Sequence, residues 1–296
     1  MKNFALTALT VAWSLIGASC ASSQAESKKD TITDMTTATQ TASAATQGDV
    51  EVEIKTTAGD ITVRLFGDTP RHRDNFVKLV NEGFYDGTLF HRVINEFMVQ
   101  AGDPESKNAP AGKMLGGGDP GYTLEAEIDY PHHFHHRGAL AAARTGDNVN
   151  PEKRSSGSQF YIVTGKKYSL SQIESMEMQM HQGRLQDEFR KLVMQNKDSI
   201  EMLQKNNDQQ ALEDLRQKLI KETEEKVDLQ PLPEEIKETY TTVGGTPHLD
   251  NAYTVFGEVL KGMDVVEKIQ KVETNSSDRP KEDIRILSVK ILQDHK

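Results

Sequence analysis

Residues 90–103 read FHRVINEFMVQAGD, two short apolar runs with polar side chains set among them. If the two runs are adjacent strands, the alternation of side-chain direction places Arg92 and Ile94 on one face of the first strand. Met98 and Gln100 then share one face of the second strand. This pattern predicts a guanidinium and an amide that face an apolar cleft. The alternative interpretation is an edge arginine that extends over a core.

Three separated blocks of the sequence occur in an order that is typical of one family. They are residues 90–103, residues 157–162 (GSQFYI), and Leu249-Asp250 followed by VFG at residues 255–257. Together they resemble the cyclophilin family of peptidyl-prolyl isomerases, and the resemblance covers most of residues 49–296. It implies a mainly β fold, a closed eight-stranded antiparallel cyclophilin-like barrel with a helix over each open end.

The rest of the folded part carries the signals of short strands. Val50, Val52 and Ile54 alternate with charged residues, and a second alternating run follows the turn at residues 57–60. A helix is predicted to begin at Thr69-Pro70, because proline is favoured in the first helical turn. Many short strands, close turns and two helices also predict a closed antiparallel barrel from the pattern alone.

The resemblance implies catalysis of rotation about the bond that precedes proline. That rotation has a barrier of about 20 kcal/mol, because resonance gives the C–N bond double-bond character. A catalyst needs a dry pocket for the proline ring and a donor aimed at the prolyl nitrogen. A guanidinium suits this role because it stays charged and its donors are rigidly placed. We therefore expect neither a metal nor a cofactor.

The same resemblance implies roles for ten positions of this chain. Arg92 would donate to the prolyl nitrogen, and Gln100 would hold both Arg92 and the substrate carbonyl. The proline pocket would be lined by Phe97, Met98, Tyr161 and Leu249, with secondary contacts at His91, Ala143, Gln159 and Tyr253.

The chain departs from the family pattern near the expected pocket. Arg144 follows Ala143, where the family usually has a small polar residue. His248 stands where many eukaryotic members carry a tryptophan, and Tyr253 replaces a common histidine. These departures leave Arg92 and its expected pocket in place.

Two other motifs resemble binding sites of other kinds, one for a nucleotide and one for a metal. Residues 116–121 (GGGDPG) formally match a dinucleotide-binding fingerprint, but no helix can follow them as such a site requires. Residues 131–136 (PHHFHH) contain four histidines, yet the run holds no Cys, Asp or Glu, and consecutive imidazoles point apart. We therefore predict a loop in each place.

The family pattern stops between Tyr168 and Tyr240, where Glu, Lys, Gln and Met dominate. Apolar residues at helical spacing predict two helices on either side of a break at residues 206–208. We interpret residues 169–239 as an inserted α-helical hairpin. Half of the chain's methionines lie here, which fits either gap-filling or an adaptable surface for unfolded clients.

The amino terminus has the features of an export signal. Lys2 precedes a mostly apolar run at residues 4–17, and Cys20, the only cysteine in the chain, follows it. Residues 1–20 resemble a bacterial lipoprotein signal peptide, which implies lipidation at Cys20; the alternative is an ordinary signal that is cut within residues 18–25. Residues 21–48 are rich in Ser, Thr, Ala and Gln and are predicted to form a disordered tether.

These features define the expected partners and location. The net charge of −10 argues against nucleic acid as the main partner. We expect an isomerase domain at residues 49–296, anchored by lipid in a bacterial cell envelope and acting on proline-containing polypeptides. The alternative is a client-binding chaperone or envelope scaffold in which the helical insertion carries the interaction.

Overall fold

The computed structural model describes residues 48–294. The predicted signal peptide, Cys20 and all of the predicted tether except Gly48 lie outside the described residues. Between residues 48 and 294, no helix combines the length and apolar character needed to cross a membrane.

The described residues form ten strands. They are β1 (Val50–Thr56), β2 (Gly59–Leu65), β3 (Arg92–Ile94), β4 (Met98–Ala101), β5 (Thr123–Leu124), β6 (Ala139–Ala142), β7 (Ser155–Ser156), β8 (Phe160–Val163), β9 (Val255–Lys261) and β10 (Ile286–Asp294). The six helices of the same part are α1 (Pro70–Asn81), α2 (Leu170–Gln195), α3 (Lys197–Lys205), α4 (Gln209–Lys226), α5 (Glu234–Thr242) and α6 (Met263–Gln270).

Eight strands form one antiparallel sheet in the order β10-β1-β2-β9-β6-β8-β4-β3, and β5 pairs separately with β7. This confirms the predicted eight-stranded antiparallel sheet. The hairpin of β1 and β2 follows from their strict alternation, since every second residue of β1 is buried. Helix α1 starts at Pro70 as predicted, and Phe76 and Leu79 lie in the main core.

The prediction of a closed barrel is wrong, because β3 and β10 form no ladder with each other in the described part of the chain. Isolated backbone bonds connect the two edges instead: Phe90 N–H donates to the Ile284 carbonyl at 2.9 Å and Val93 N–H to the Asp278 carbonyl at 2.8 Å. Strand β3 has only three residues. Pro280 lies in the segment before β10 and lacks the N–H that a continuous ladder would need.

The class is mixed α/β, so the prediction of a mainly β protein is also wrong. The helices within residues 48–294 contain more residues than the strands do, because the insertion is helical. The insertion is more than a hairpin: α2, α3 and α4 form it, and α5 follows. The first predicted helix is interrupted at Asn196, where the backbone leaves helical angles (φ −102°, ψ 14°) and the side-chain amide donates to the Leu192 carbonyl at 2.9 Å.

Glu174–Pro231 is a compact unit of its own. Its core is made by apolar residues of α2, α3 and α4, namely Phe189, Leu192, Val193, Ile200, Leu212, Leu219 and Ile220. Several large apolar side chains of the same unit are exposed, among them Met178, Met194 and Met202. The other unit contains the sheet, α1, α5 and α6.

Candidate active site

A cavity of about 270 Å³ opens on one face of the sheet. It is lined by Arg92, Phe97, Met98, Gln100, Leu115, Gly116, Ala143, Arg144, Tyr161, Leu249 and Tyr253. The structure therefore brings together eight of the ten residues that the sequence singled out: Arg92, Phe97, Met98, Gln100, Ala143, Tyr161, Leu249 and Tyr253.

The register of three strands positions the polar residues of this cavity. Arg92 on β3 lies directly opposite Gln100 on β4, and Gln100 lies opposite Tyr161 on β8. Side chains of directly opposed residues in an antiparallel pair point to the same face. Val93 and Val99 belong to the core on the other face, as the alternation within residues 90–103 predicted.

A chain of hydrogen bonds runs from the arginine into the floor of the cleft. Arg92 Nη1 donates to Gln100 Oε1 at 3.5 Å, and Gln100 Nε2 donates to Gln159 Oε1 at 2.9 Å. Gln159 Nε2 donates in turn to the carbonyls of Gly116 and Gly118, at 3.0 and 2.6 Å. Each amide is thus held in one orientation by its neighbour, which leaves the Arg92 guanidinium, 43% exposed, facing the cleft.

The glycine-rich loop forms part of the wall instead of a nucleotide site, in agreement with the prediction of a loop. The Asp103 carboxylate accepts from the N–H groups of Gly116 and Gly118, at 2.5 and 3.4 Å, and Asp103 is fully buried. A Cβ added to Gly118 would lie 2.2 Å from Asp103 Oδ1. The loop can therefore pack this closely on Asp103 only because it has no side chain at this point.

Apolar and aromatic side chains form the rest of the cavity. Met98, Tyr161 and Val255 belong to a buried cluster on which Phe97 and Leu249 pack. The His248 ring stacks on Phe97, with ring centroids 5.5 Å apart. Such a pocket, apolar with a few convergent polar groups, is the usual form of a small-ligand site.

Arg144 shapes the wall at the place where the family pattern fails. Its guanidinium carbon lies 4.5 Å from the centroid of the Tyr253 ring, a cation–π arrangement. Its Nε donates to the Ala252 carbonyl at 2.8 Å, and its Nη1 lies 2.6 Å from Asp147 Oδ1. The side chain is 4% exposed, so it belongs to the wall of the cavity and is not free to swing into solvent.

The other two predicted residues lie beside the cavity. Gln159 lines an adjoining cavity of about 340 Å³, which also includes Gln100, Ala143 and Arg144. His91 lines neither cavity; it is buried, 3% exposed. Burial lowers the pKa of the His91 imidazole below its usual value, and the nearby Asp103 carboxylate offsets this only in part.

The histidine run lies in a loop, as predicted, but the fold supplies carboxylates that the run lacks. His133 Nε2 lies 2.9 Å from Asp68 Oδ1, and His132 Nδ1 lies 3.3 Å from both oxygens of Asp129. One ligand atom from each of Asp68, Asp129 and His133 falls within 4.8 Å of the others, a group that could hold a divalent cation. Both carboxylates are at least half exposed, and the group lies outside the cleft.

Three residues near the site, Asp278, His135 and Asp250, were not predicted from the sequence. Asp278 Oδ2 lies 3.6 Å from Arg92 Nε, and His135 and Asp250 form a buried pair next to Tyr161. All three are brought near by contacts between distant parts of the chain. The one available signal was the adjacency of Asp250 to Leu249 in the recognised block.

The chain is similar to known proteins over most of its length. Residues 50–222 and 237–291 match the family model described as "Cyclophilin type peptidyl-prolyl cis-trans isomerase/CLD". A Staphylococcus haemolyticus protein named as an inferred peptidyl-prolyl cis-trans isomerase is 30% identical over 245 residues, which is 82% of this chain and 91% of that protein. A Streptococcus pyogenes protein, named as an inferred bifunctional phosphatase/peptidyl-prolyl cis-trans isomerase, is 31% identical over 81% of this chain but only 38% of its own length.

Among solved structures, the chain is similar to a cyclophilin type peptidyl-prolyl cis-trans isomerase of Cryptosporidium parvum. The TM-score is 0.48 at 19% identity, over 83% of this chain and 99% of that one. The same protein in the presence of the dipeptide Ala-Pro gives a TM-score of 0.47 at 19% identity, over 82% and 99%.

Proposed function

The chain belongs to the family of cyclophilin-type peptidyl-prolyl cis-trans isomerases, and from this premise we propose that its cleft accelerates rotation about X–Pro bonds of exported or envelope proteins, with Arg92 as the donor to the prolyl nitrogen. One observation carries the proposal. The Arg92 guanidinium, the Gln100 amide and the apolar side chains of Phe97, Met98 and Leu249 line one cavity of about 270 Å³. Acceleration of cis–trans exchange in a proline-containing tetrapeptide by the purified chain tests it.

In this proposal the proline ring enters the apolar part of the cavity. There Phe97, Met98, Tyr161 and Leu249 exclude water, which strengthens every electrostatic interaction inside the cleft. The Gln100 amide already donates to Gln159, and its oxygen faces Arg92. Gln100 therefore keeps the guanidinium pointing at the place where the prolyl nitrogen would lie.

Arg92 acts on the twisted form of the bond. As the C–N bond rotates, the nitrogen lone pair leaves conjugation and becomes a hydrogen-bond acceptor, which it is not in the planar amide. A donor fixed at this point binds the transition state more tightly than either ground state, and only such differential binding raises the rate. No nucleophile, base or metal takes part in this mechanism.

The mechanism predicts a flat pH profile for catalysis. A guanidinium stays charged, and burial lowers the pKa of both the His91 and the His248 imidazoles below the usual value of 6.5, so all three groups keep one charge state from about pH 7 to 9. We expect kcat/KM to be constant over this range. The measurement is extended down to about pH 5, where a step in kcat/KM below pH 6.5 that disappears in His91→Gln would instead indicate a general base.

The same pKa shifts predict how stability depends on pH. Below pH 6.5 the unfolded chain binds protons at His91 and His248 more readily than the folded protein does. The free energy of unfolding therefore falls as the pH drops through this range. Urea unfolding between pH 5 and 8 measures the fall, and His91→Gln should make it shallower.

We further propose that a lipid on Cys20 anchors the protein in a bacterial cell envelope. The position of the only cysteine at the end of an apolar run supports this. We expect Cys20→Ser to move the protein from the membrane fraction to the soluble envelope fraction, whereas Ser19→Ala should leave it with membranes. A Cys20→Ser protein that still sediments with membranes after a salt wash would exclude the anchor.

A second function, client binding by the insertion, is favoured by its exposed methionines. Met178, Met194 and Met202 are each more than half exposed, and flexible thioethers adapt to varied apolar partners. We expect replacement of residues 174–231 by a Gly/Ser linker to leave tetrapeptide kcat/KM within about threefold, because loop closure changes by only tenths of a kcal/mol.

The same deletion should slow the catalysed refolding of a proline-limited protein or reduce its protection from aggregation. Equal performance of the two chains on that protein would make the insertion a spacer. Loss of tetrapeptide activity would mean that residues 174–231 support the isomerase unit itself.

A further inference from the structure

We propose that the buried pair of Asp250 and His135 sets the width of the proline pocket, because it joins two of the pocket's walls through hydrogen bonds. One wall is Leu249, the residue before Asp250, and the other is Tyr161, which bonds to His135. We name Asp250 and His135 the brace. The inference rests on the proposed function, since it assigns the brace residues as positioning residues of the same cleft.

The first half of the brace fixes Leu249. The Asp250 Oδ1 atom accepts from the His135 backbone N–H at 2.8 Å and contacts His135 Nδ1 at 3.0 Å, and Oδ2 accepts from the Tyr240 hydroxyl at 2.6 Å. The carboxylate is 1% exposed. Asp250 is also the C-cap of the short 3-10 helix Pro247–Leu249. Anchoring this carboxylate therefore anchors the turn that presents Leu249 to the pocket.

The second half of the brace fixes Tyr161. Because the Asp250 carboxylate is an acceptor, His135 Nδ1 carries the proton that it donates, which leaves Nε2 to bond on the other side of the ring. The Tyr161 hydroxyl forms a hydrogen bond with His135 Nε2, at 3.0 Å. The two rings are nearly parallel, at 14°, with centroids 6.1 Å apart. The hydroxyl bond thus fixes where the Tyr161 ring stands in the pocket.

A third aromatic ring closes the arrangement. Tyr253 packs edge-on against both Tyr161 and His135, with centroids 6.0 and 6.3 Å away. The Arg144 guanidinium lies over the Tyr253 ring, 4.5 Å from its centroid. Tyr161 therefore cannot move toward Tyr253 without displacing a packed side chain, and its hydroxyl bond to His135 restrains it further.

The chemistry of the brace favours a positioning role over simple stabilisation. Burying an ionisable pair costs free energy that its mutual attraction repays only with good geometry and full pairing, and apolar residues of equal volume often stabilise as well or better. Here both carboxylate oxygens and both imidazole nitrogens have partners between 2.6 and 3.0 Å. Hydrogen bonds have preferred directions, which apolar contacts lack. Such a network can therefore define the separation of Leu249 and Tyr161.

Two substitutions remove hydrogen bonds of the brace and leave the other contacts of the pocket in place. Tyr161→Phe keeps the ring and removes the hydroxyl that bonds to His135. His135→Asn keeps a donor near the position of Nδ1 for Asp250 but removes the Nε2 atom that bonds to Tyr161. His132→Asn is the matched control, because this histidine belongs to the same run, is 76% exposed and takes no part in the brace.

The readout is the preference of the pocket for the smaller of two rings, which reports its width. Dissociation constants are obtained by NMR titration for two tetrapeptides that differ only in proline or its six-membered homologue, pipecolic acid. One added methylene in a fitted apolar pocket changes affinity by about tenfold or more. We expect the native chain and His132→Asn to prefer proline by at least this factor, and both brace variants to lower the preference to about threefold or less.

The outcomes distinguish the brace from a merely structural role and from the proposed mechanism. A loss of folded protein would weaken the binding of both peptides equally and leave the ratio of their dissociation constants unchanged. Tyr161→Phe must therefore be shown to be folded. An unchanged ratio in folded Tyr161→Phe would overturn the inference, even if His135→Asn does not fold. Because the ratio is one of binding constants, it does not depend on turnover. If Arg92→Ala leaves catalysis intact while Tyr161→Phe changes the ratio, the donor mechanism fails and the brace stands.

Discussion

Replacing Arg92 with alanine should lower kcat/KM for a proline tetrapeptide by about a hundredfold. This is the usual effect of removing one transition-state donor and corresponds to about 2.7 kcal/mol. The side chain is 43% exposed and faces the cleft, and its pairing with Asp278 is a surface contact that contributes little to stability. Urea unfolding of Arg92→Ala should therefore match that of the native protein.

Two further variants define the role of the guanidinium. Arg92→Lys keeps the charge without the rigid fork of donors, so we expect it to recover only part of the lost activity. Arg71→Ala removes an exposed arginine that pairs with Glu125 outside the cavity and should change kcat/KM by less than about twofold. Full activity in a folded Arg92→Ala protein would exclude Arg92 as the donor.

Gly102→Ala should destabilise the fold by about 3 kcal/mol or more. Gly102 follows β4 with φ +91°, a left-handed conformation that costs a residue with a Cβ about 1–2 kcal/mol. The added Cβ would also lie 2.2 Å from the Ser158 carbonyl oxygen, and relieving such overpacking costs about 1–3 kcal/mol. The backbone at the end of β4 must shift to make room, and Gln100 lies on that strand.

The midpoint of urea unfolding measures this effect. Gly117→Ala is the matched control, because Gly117 does not have a positive φ and a Cβ there would meet nothing within 4 Å. We expect the control to unfold at the native midpoint. A Gly102→Ala midpoint equal to that of the control would contradict the close approach of Gly102 to Ser158.

Local pattern was enough to predict the elements that build the cleft. Alternation within residues 90–103 predicted which side chains share a face, and the register of β3 with β4 agrees: Arg92 opposes Gln100 and Ile94 opposes Met98. Side-chain direction in a strand is set by its period of two, so it follows from the order of residues alone. The start of α1 at Pro70 was predictable for a similar reason, because proline is compatible with the first turn.

Features that depend on distant contacts could not be predicted in this way. The sheet stays open because residues near Phe90 and residues near Ile284 form only isolated backbone bonds and no continuous ladder. Likewise, His135 and Asp250 are 115 positions apart, and neither belongs to a pattern that would reveal the other. The break in the insertion at Asn196 is a change of backbone angles at one residue, which the spacing of apolar residues does not reveal.

The most direct test of the donor mechanism separates binding from chemistry on one peptide. NMR exchange spectroscopy at saturating protein measures the rate of cis–trans exchange of a bound proline tetrapeptide, and titration of the same sample gives its dissociation constant. For Arg92→Ala the account predicts a dissociation constant within about threefold of the native value and a bound exchange rate about a hundredfold lower, because the donor acts only on the twisted bond. A native exchange rate on the bound peptide, or a loss of binding large enough to account for the loss of activity, would contradict it.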